Sequence, residues 1–435
     1  MPRLDPPARV KEIAERLEGA GHEAWFVGGA VRDALLGHAH LDWDLATSAT
    51  PAEVQALFGR RRTIPVGIEF GTVGVLDSAD ALHEVTTFRR DVQTDGRHAV
   101  VEFGASLDDD LARRDFTINA IAYSASRDEL RDPFDGRGDL ARRVVRAVGD
   151  PEQRMREDRL RALRGIRFAA RFDFEIESAT LAAISNSAPY LGRLSPERVK
   201  QELDKTMEQV RCPGAALRRW RDTGALATLI PALARLPDDA LLVPNYLAQP
   251  SLTGRPQRRI NRVAGLVASL DGTAVERVLT ALRYSRRDAQ WAATVVGRWR
   301  AARPTLERLV GGLVPVTDRD VRILVSTIGR LYVGAVIRIA EATWSVRRAA
   351  GNLAPSPTVV RALHRRMLRS AFRDPLELSD LAVDGDDLRA AGIPAGPMLG
   401  KILNDLLQGV LEEPERNRVD TLLADALRRH AVAKG

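Results

Sequence analysis

The stretch WFVGGAVRDALLGHAHLDWDLAT, residues 25–47, decides the fold of the N-terminal part of this chain. An apolar run ends at the pair Gly28 and Gly29, and a segment with helical spacing follows it. This order predicts a buried strand, a tight turn and a helix. The last seven residues, LDWDLAT, alternate as a second strand.

Alternation in this second strand places two carboxylates together. Side chains two positions apart share a face, so we expect Asp42 and Asp44 to project together and Trp43 to lie on the opposite face. Two close carboxylates repel each other unless a cation lies between them, and Mg²⁺ prefers such hard oxygen ligands. The alternative is a solvated strand end or turn. Glu84, in a further predicted strand at 81–88, is either a third carboxylate of this site or an exposed strand residue.

The glycine pair favours an anion site. Glycine allows a ligand to approach the backbone closely, and the start of a helix presents free N–H groups to a phosphate. Arg32 follows one turn later and can add a bidentate phosphate contact. A tight turn explains two glycines equally well, but glycines, arginine and paired carboxylates together predict a phosphate cradle beside a metal.

A second group of polar residues lies in RRDFTINA, residues 113–120. Arg113 and Arg114 can bind phosphate, since arginine matches its geometry. Asp115 can orient these arginines or cap a helix. Asn119 can hydrogen-bond a ribose or hold the loop.

The segment REDRLRALRGIRFAAR, residues 156–171, predicts one helix. Polar side chains recur at every third position of it: Asp158, Arg161, Arg164 and Arg167. Because three residues turn about 60° less than one full turn of a helix, each of these side chains lies beside the previous one along a slow spiral. One interpretation is a surface ladder that pairs Glu157 or Asp158 with Arg161. The other is that Asp158 and Arg161 hydrogen-bond a base edge, with the later arginines reaching phosphates.

Composition limits the remaining possibilities. The 435 residues exceed one compact core, and the single cysteine excludes a disulfide framework and a cysteine zinc cluster. We expect no signal peptide and no membrane span, and therefore a cytoplasmic protein. Net charge is +7, and only five of the 65 basic residues are lysines. Arginine suits phosphate, so the positive charge makes a polyanionic partner plausible. A GC-rich genome also raises the arginine content, because arginine codons are GC-rich.

Periodicity divides the chain at about residue 150. The first part mixes strands and helices, and it includes an expected polar loop at 89–100. Helical periodicity dominates after Pro151. The predicted fold class is therefore α+β, with an α/β head followed by an all-α remainder.

In their order and spacing, GGAVRD, LDWDLAT, RRDFTINA and EDRLRALRGIRFAARF resemble the class II tRNA nucleotidyltransferase and bacterial poly(A) polymerase family. The resemblance is close over residues 25–172. The C-terminal segment 380–423 resembles the tRNA-adding branch of that family. The family fold implies four parts with these boundaries: a catalytic head (1–150), a neck that reads the base (151–215), an all-α body (216–375) and a tRNA-binding tail (376–435).

The resemblance also implies roles for individual residues. Asp42 and Asp44 would hold the catalytic Mg²⁺, with Glu84 where relatives can carry a third carboxylate. One set of residues would contact the incoming nucleotide: Gly28, Gly29, Arg32, Arg114, Asp158, Arg161, Arg164 and Arg167. Within this set, Asp158 and Arg161 would read the base of ATP or CTP. The segment 89–101 matches a flexible element that is linked in the family to switching from C to A addition.

The implied activity is template-independent addition or repair of the 3′-terminal CCA of tRNA from CTP and ATP, with release of pyrophosphate. Alternatives are a poly(A) polymerase or a partial enzyme that adds only CC or only A. A transferase for non-tRNA acceptors and a non-catalytic RNA-binding protein fit less well. None of the seven histidines is followed by aspartate, so we expect no histidine–aspartate phosphohydrolase domain.

Overall fold

A computed structural model of the chain describes residues 4–38, 43–94, 99–248, 257–312 and 315–434. Asp42, predicted as a metal ligand, lies outside the described residues. The chain forms two compact units, whose bounds are Met1–Thr206 with Ala216–Pro231 for the first, and Met207–Ala215 with Ala232–Gly435 for the second.

The first unit contains a seven-stranded sheet with the order β3-β4-β5-β2-β1-β8-β9, and two separate pairs, β6 with β7 and β10 with β11. The strands have these bounds: β1 (Ala24–Val27), β2 (Asp44–Thr47), β3 (Thr63–Gly67), β4 (Thr72–Leu76), β5 (Leu82–Thr87), β6 (Arg89–Thr94), β7 (Ala99–Phe103), β8 (Ala122–Ser124), β9 (Glu129–Arg131), β10 (Val144–Val145) and β11 (Glu175–Ile176). Within the large sheet β2 and β5 run parallel, and the other neighbours run antiparallel.

Helices surround this sheet and continue beyond it. Those of the first unit, including three that reach into the second, are α1 (Ala8–Gly19), α2 (Gly29–Leu35), α3 (Pro51–Phe58), α4 (Leu107–Ala112), α5 (Gly136–Arg142), α6 (Pro151–Glu157), α7 (Leu160–Phe172), α8 (Ser178–Ser187), α9 (Pro196–Gln209), α10 (Pro213–Asp222), α11 (Ala225–Leu229) and α12 (Pro231–Ala234). The helix α3 begins as its sequence predicts, because Thr50 and Glu53 form a capping box and Pro51 occupies the first turn.

The described part of the second unit is helical. Its remaining helices are α13 (Asp238–Leu242), α14 (Gln257–Leu266), α15 (Gly272–Ala281), α16 (Arg286–Val310), α17 (Asp318–Ile328), α18 (Val333–Ala349), α19 (Pro357–Arg373), α20 (Gly385–Ala390), α21 (Pro397–Glu412) and α22 (Val419–Lys434). The predicted fold class, a mixed head followed by helices, is confirmed.

No single helix in the described ranges has the length and apolar composition needed to cross a membrane. The segments Asp318–Ile328 and Arg330–Ala349 meet these two criteria only as a pair, and the pair is bent by 88°.

The central strands of the sheet are covered on both faces. Every residue of β1 is buried. One face packs Trp25, Val27 and Ala46 against Leu107 and Leu111 of α4. Directly before β2, Trp43 is buried with its ring edge-on to Phe26, whereas Asp44, the first residue of the strand, is half-exposed. The expected contrast between Trp43 and Asp44 is therefore present, and the residues that follow, Leu45 to Thr47, are buried.

The prediction of a polar loop at 89–100 is wrong for the residues that the structure describes. Residues 89–94 and 99–103 form an antiparallel ribbon, β6 with β7, which contains a register shift between Asp91 and Gln93. The sequence carried a signal for this ribbon, since Asp95-Gly96 is a dipeptide typical of hairpin turns.

The prediction of one helix over 156–171 is also wrong. The chain is helical to Glu157, extended at Asp158 (φ −147°, ψ 106°) and helical again from Leu160. The reason is local competition, because the Asp158 carboxylate accepts the Leu160 backbone N–H at 3.0 Å. Asp158 therefore precedes α7, while Arg161, Arg164 and Arg167 lie on it.

Candidate active site

The register of three adjacent strands brings the sequence-predicted residues together. Val27 of β1 pairs with Asp44 of β2, so the turn at Gly28 begins beside this carboxylate. On the other side, Leu45 pairs with Val85 of β5 in a parallel ladder. One step back along both strands, Glu84 is the neighbour of Asp44, and the two side chains share a sheet face.

The two carboxylates fit the chemistry of a divalent metal. Both offer hard oxygen ligands from adjacent strands, and both are accessible, since Glu84 is exposed and Asp44 half-exposed. Among the described residues, no group of three or more His, Cys, Asp or Glu has the arrangement of a metal site. The predicted pair of Asp42 and Asp44 thus stays a prediction, and so does a third ligand at Glu84.

The glycine turn lies against an arginine. Gly28 has φ +73° and ψ −131°, a conformation that side chains disfavour, and a Cβ at this position would lie 2.9 Å from Nη1 of Arg114. Gly28 is therefore required both by the turn and by the approach of the guanidinium. The free N–H groups at the start of α2 and the Arg114 charge lie close enough to act on one anion.

The Asp110 side chain fixes Arg113 and Arg114. Asp110 is buried within α4 and forms ion pairs with both arginines, at 2.6 and 3.1 Å. Burial opposes ionisation, but the charges of Arg114 and Arg113 outweigh it and lower the pKa of Asp110. The Arg113 carbonyl in turn accepts Nη2 of Arg161 at 2.9 Å.

Asp115 connects the RRDFTINA segment to α7. Its carboxylate accepts three hydrogen bonds: from the Phe116 backbone N–H, from Nδ2 of Asn119 and from Nε of Arg164, at 2.9, 2.9 and 2.8 Å. Burial alone would raise the pKa of Asp115, but the Arg164 charge and the Asn119 hydrogen bond lower it to about 2. The same carboxylate raises the pKa of Arg164.

Arg32 connects the glycine motif to the same residues. Its guanidinium donates to Oδ1 of Asn119 and, at 2.7 Å, to Oδ1 of Asp33. Asp33 also accepts Nη2 of Arg171 at 2.9 Å. Arg32 is only 3% exposed, and burial lowers its pKa. These hydrogen bonds and ion pairs form one continuous chain of polar contacts: Arg171, Asp33, Arg32, Asn119, Asp115 and Arg164.

Two phenylalanines of α7 pack beneath these guanidinium groups. Phe168 and Phe172 stack with ring centroids 6.2 Å apart. Arg32 lies over both rings, and Arg164 and Arg167 lie over Phe168 at 5.4 and 4.4 Å from its centroid. Stacking on an aromatic face is favourable for the planar guanidinium. These contacts fix the arginine planes before any ligand arrives.

Arg167 makes a different contact from its neighbour Arg164. Its Nε donates to Oε2 of Glu202 on α9 at 2.7 Å, and both side chains are buried. Burial lowers the pKa of Arg167 although Glu202 opposes the shift. Arg164 is one-third exposed and is the more accessible of the two.

The predicted base-reading pair has separate partners. Oδ2 of Asp158 accepts Nη2 of Arg198 at 2.8 Å. Arg161 pairs with Glu157 at 2.8 Å, so one half of the expected surface ladder is present. Both residues border the break between α6 and α7, where a backbone N–H of Arg161 bonds the Asp158 carbonyl at 3.0 Å.

Comparison with known proteins gives two family matches. Residues 24–146 match the Poly A polymerase head domain, and residues 173–236 match a family described as the probable RNA and SrmB-binding site of polymerase A. The CCA-adding enzyme of Limosilactobacillus fermentum is 35% identical over 433 residues, which cover 98% of this chain and 97% of that protein.

Solved structures agree with these matches. The Bacillus stearothermophilus CCA-adding enzyme in complex with CTP is 30% identical, covers 99% of both chains and superposes with a TM-score of 0.71. The Thermotoga maritima CCA-adding enzyme complexed with tRNA shares the fold, with a TM-score of 0.66 and 22% identity.

The chain belongs to the CCA-adding enzyme family. It is therefore a nucleotidyltransferase, and the family resemblance predicted from its motifs is confirmed. Membership of this family implies dependence on a divalent metal ion.

Sequence reasoning missed several residues that hold the site. Asp33, Arg171, Arg198 and Glu202 each contact a predicted site residue. Asp33 directly follows Arg32, and that adjacency was an available signal. The other three lie outside the four motifs or at their end, and no local pattern specifies which side chain each one meets.

We expect Asp115→Asn to lower the free energy of unfolding by about 2 kcal/mol at pH 7, because Arg164 loses its carboxylate partner. The folded pKa of about 2 lies below the ordinary value of 3.8, so this contribution is present above pH 3.8 and disappears as the pH falls toward 2. Urea unfolding at several pH values measures the difference between wild type and variant. Asp80→Asn, in an exposed turn, is the control, and a pH-independent difference for Asp115→Asn would contradict the assignment.

Proposed function

We propose that this chain is a template-independent tRNA nucleotidyltransferase that adds or repairs the 3′-terminal CCA, using CTP and ATP. The observation that carries the proposal is the strand register, which brings Asp44 beside Glu84 and places both next to the turn at Gly28, directly after β1. Similarity to CCA-adding enzymes over 98% of the chain supports tRNA as the acceptor.

The proposed reaction joins the RNA to the nucleotide in one displacement. The 3′-hydroxyl of the tRNA attacks the α-phosphate of the bound triphosphate, a phosphodiester bond forms, and the bond to pyrophosphate breaks. The hydroxyl proton is lost to water. Mg²⁺ held by Asp42 and Asp44 would lower the pKa of this hydroxyl and neutralise charge on the leaving pyrophosphate.

The residues around the glycine turn would bind the triphosphate. The Gly28–Gly29 backbone and Arg114 provide hydrogen-bond donors next to each other, and they suit the charge that develops on the phosphate oxygens. Arg32 is held by Asp33 and Asn119 beneath this turn. We therefore assign Arg32 to the nucleotide site through the position that it gives to α2, as well as through its charge.

Base selection without a template requires protein groups that match the Watson–Crick edge. In our proposal Asp158 accepts from the base and Arg161 donates to it. Arg164 and Arg167 complete the pocket, with Arg164 the more exposed. The partners Arg198 and Glu157 hold the two reading side chains in the absence of nucleotide.

The proposed division of labour follows the four parts. The head (1–150) catalyses transfer, the neck (151–215) reads the base, the body (216–375) supports the RNA, and the tail (376–435) binds tRNA. Since tRNA and nucleoside triphosphates are cytoplasmic, the reaction would take place in the cytoplasm.

The first test uses a tRNA transcript that lacks its CCA end. We expect the protein with Mg²⁺ to add three nucleotides only when CTP and ATP are both present, with products resolved at single-nucleotide length. Two additions from CTP and no more, or one A only on a transcript ending in CC, would mean a partial enzyme. A long A ladder on unrelated RNA would identify a poly(A) polymerase, and no product at all would overturn the proposal.

The metal assignment predicts that Asp44→Asn lowers the rate of transfer about a thousand-fold or more, because several kcal/mol of charge stabilisation are lost. Asp42→Ala should do the same. Binding of tRNA should stay within about twofold of wild type, measured by filter binding. Asp80→Asn removes the same charge from an exposed turn and should transfer normally. Full activity of Asp44→Asn would show that the metal assignment is wrong.

Base reading predicts that Asp158→Ala raises the KM for CTP and ATP about 10- to 100-fold and increases misincorporation of UTP and GTP. Because Asp158 also holds Arg198 and caps α7, the matched variant is Arg198→Gln, which removes the ion pair and keeps the carboxylate. We expect Arg198→Gln to retain nucleotide choice. An equal loss for every nucleotide in both variants, with a lower melting temperature, would indicate a purely structural ion pair.

A further inference from the structure

The helix α19 of the second unit has an unusual charge. Its 17 residues, PTVVRALHRRMLRSAFR, contain five arginines and no acidic residue. The buried side of the helix is formed by Val360, Leu363 and Met367. The arginines therefore lie on the remaining faces, where a run of like charge without a counter-charge in the same helix attracts anions.

A cavity of about 230 Å³ lies between α19 and α17. Four arginines line it, one from α17 and three from α19: Arg322, Arg366, Arg369 and Arg373. The acidic residues in the lining are Asp318 and Asp374. The cavity therefore has a net positive lining, and it lies entirely within the second unit.

Two of these arginines are held by the protein and two are available. Arg322 donates to the Leu411 and Glu412 carbonyls, which are uncharged acceptors. Arg366 pairs with Asp318 at 2.6 Å. For Arg369 and Arg373, which are exposed, the described part of the chain provides no hydrogen bond or ion pair.

Three of the four arginines act on the carboxylate of Asp318. The pKa of Asp318 is lowered first by its hydrogen bond to Arg366 and by the charge of that residue, and further by Arg322 and Arg369. Three guanidinium groups from two helices thus stabilise the same negative charge. A second anion entering the cavity would meet the same field, with Arg369 and Arg373 free to form hydrogen bonds.

We propose that the cavity between α17 and α19 binds backbone phosphate of the RNA substrate through Arg369 and Arg373. This inference rests on the proposed function, which supplies tRNA as the partner. Arg366 and Arg322 would contribute charge from the cavity wall. The spacing of Arg369 and Arg373, one turn apart on α19, presents both side chains along the same side of the helix.

The surroundings of the cavity favour nucleic acid over a small anion. Phe372, which lies between Arg369 and Arg373 in the sequence, is 84% exposed, and Leu368 one turn earlier is also exposed. An exposed aromatic ring beside arginines suits nucleic acid, because the ring can stack on a base while the arginines bind phosphate.

The test measures binding of full-length protein to a tRNA transcript lacking CCA, at several salt concentrations. We expect the double variant Arg369→Gln, Arg373→Gln to weaken binding about tenfold near 0.1 M salt. The slope of log Kd against log salt should fall by about one to two, since about one unit is lost for each phosphate contact. The variant Arg369→Lys, Arg373→Lys keeps the charge and should recover most of the slope.

The matched control is Arg361→Gln with Arg365→Gln, which removes the same charge from the same helix outside the cavity lining. This control should bind tRNA within twofold of wild type. Equal weakening by both pairs would reduce the effect to overall charge and overturn the proposal. Unchanged binding by the Arg369 and Arg373 pair would also overturn it and would direct attention to other anions, such as an acidic protein segment.

The assays of CCA addition and of tRNA binding test the proposed function and the cavity assignment separately. If wild type adds CCA but both variant pairs bind tRNA alike, the cavity assignment fails and the function stands. If wild type adds no nucleotide yet binds tRNA through Arg369 and Arg373, the function fails and the phosphate site stands.

Discussion

The Asp115 carboxylate is the contact on which the rest of the site depends. It accepts hydrogen bonds from Asn119 in its own segment and from Arg164 on α7. Asn119 in turn accepts a hydrogen bond from Arg32 on α2. Without the Asp115 carboxylate, the partly buried Arg164 and the buried Asn119 amide would each lose a hydrogen-bond partner, which is costly for groups shielded from water. Residues far apart in sequence are therefore ordered together before a nucleotide binds.

The chain uses arginine for two physically different purposes. Arg32 and Arg167 are buried, and each has a carboxylate partner and an aromatic ring beneath it. Arg369 and Arg373 are exposed and lie in a cavity whose lining is already positive. Arg32 and Arg167 use guanidinium donors for hydrogen bonds within the protein, whereas the described residues give Arg369 and Arg373 no such bond. Burial and partners, more than residue type, determine how much of an arginine's hydrogen-bonding capacity stays available to a polyanion.

Much of the fold could be predicted from local patterns. The alternation around Trp43, the glycine turn and the cap at Thr50 each depend on neighbours in sequence, and the structure agrees with them where it describes them. The break at Asp158 was missed, because a carboxylate that caps the next helix looks identical, in sequence, to one that lies on a continuous helix. The β6–β7 ribbon was missed because its polar composition is typical of a loop, although the dipeptide Asp95-Gly96 is typical of a hairpin turn.

The site itself was predictable only in part. The motif residues were identified by type and spacing, but their partners were not. Asp33 with Arg171, and Glu202 with Arg167, pair across long sequence separations. Such pairs are fixed by helix packing and by the requirement that each buried charge finds a counter-charge, neither of which has a local signature.

The parallel pairing of β2 and β5 has a consequence for how the site tolerates change. Asp44 and Glu84 are aligned by the ladder that joins Leu45 to Val85, and the chain between the two strands passes through α3 and the β3–β4 hairpin. Added or deleted residues at the tip of that hairpin, around 68–70, would lengthen or shorten a surface excursion without shifting the ladder. The relative position of Asp44 and Glu84 therefore does not depend on the length of the segment that connects their two strands.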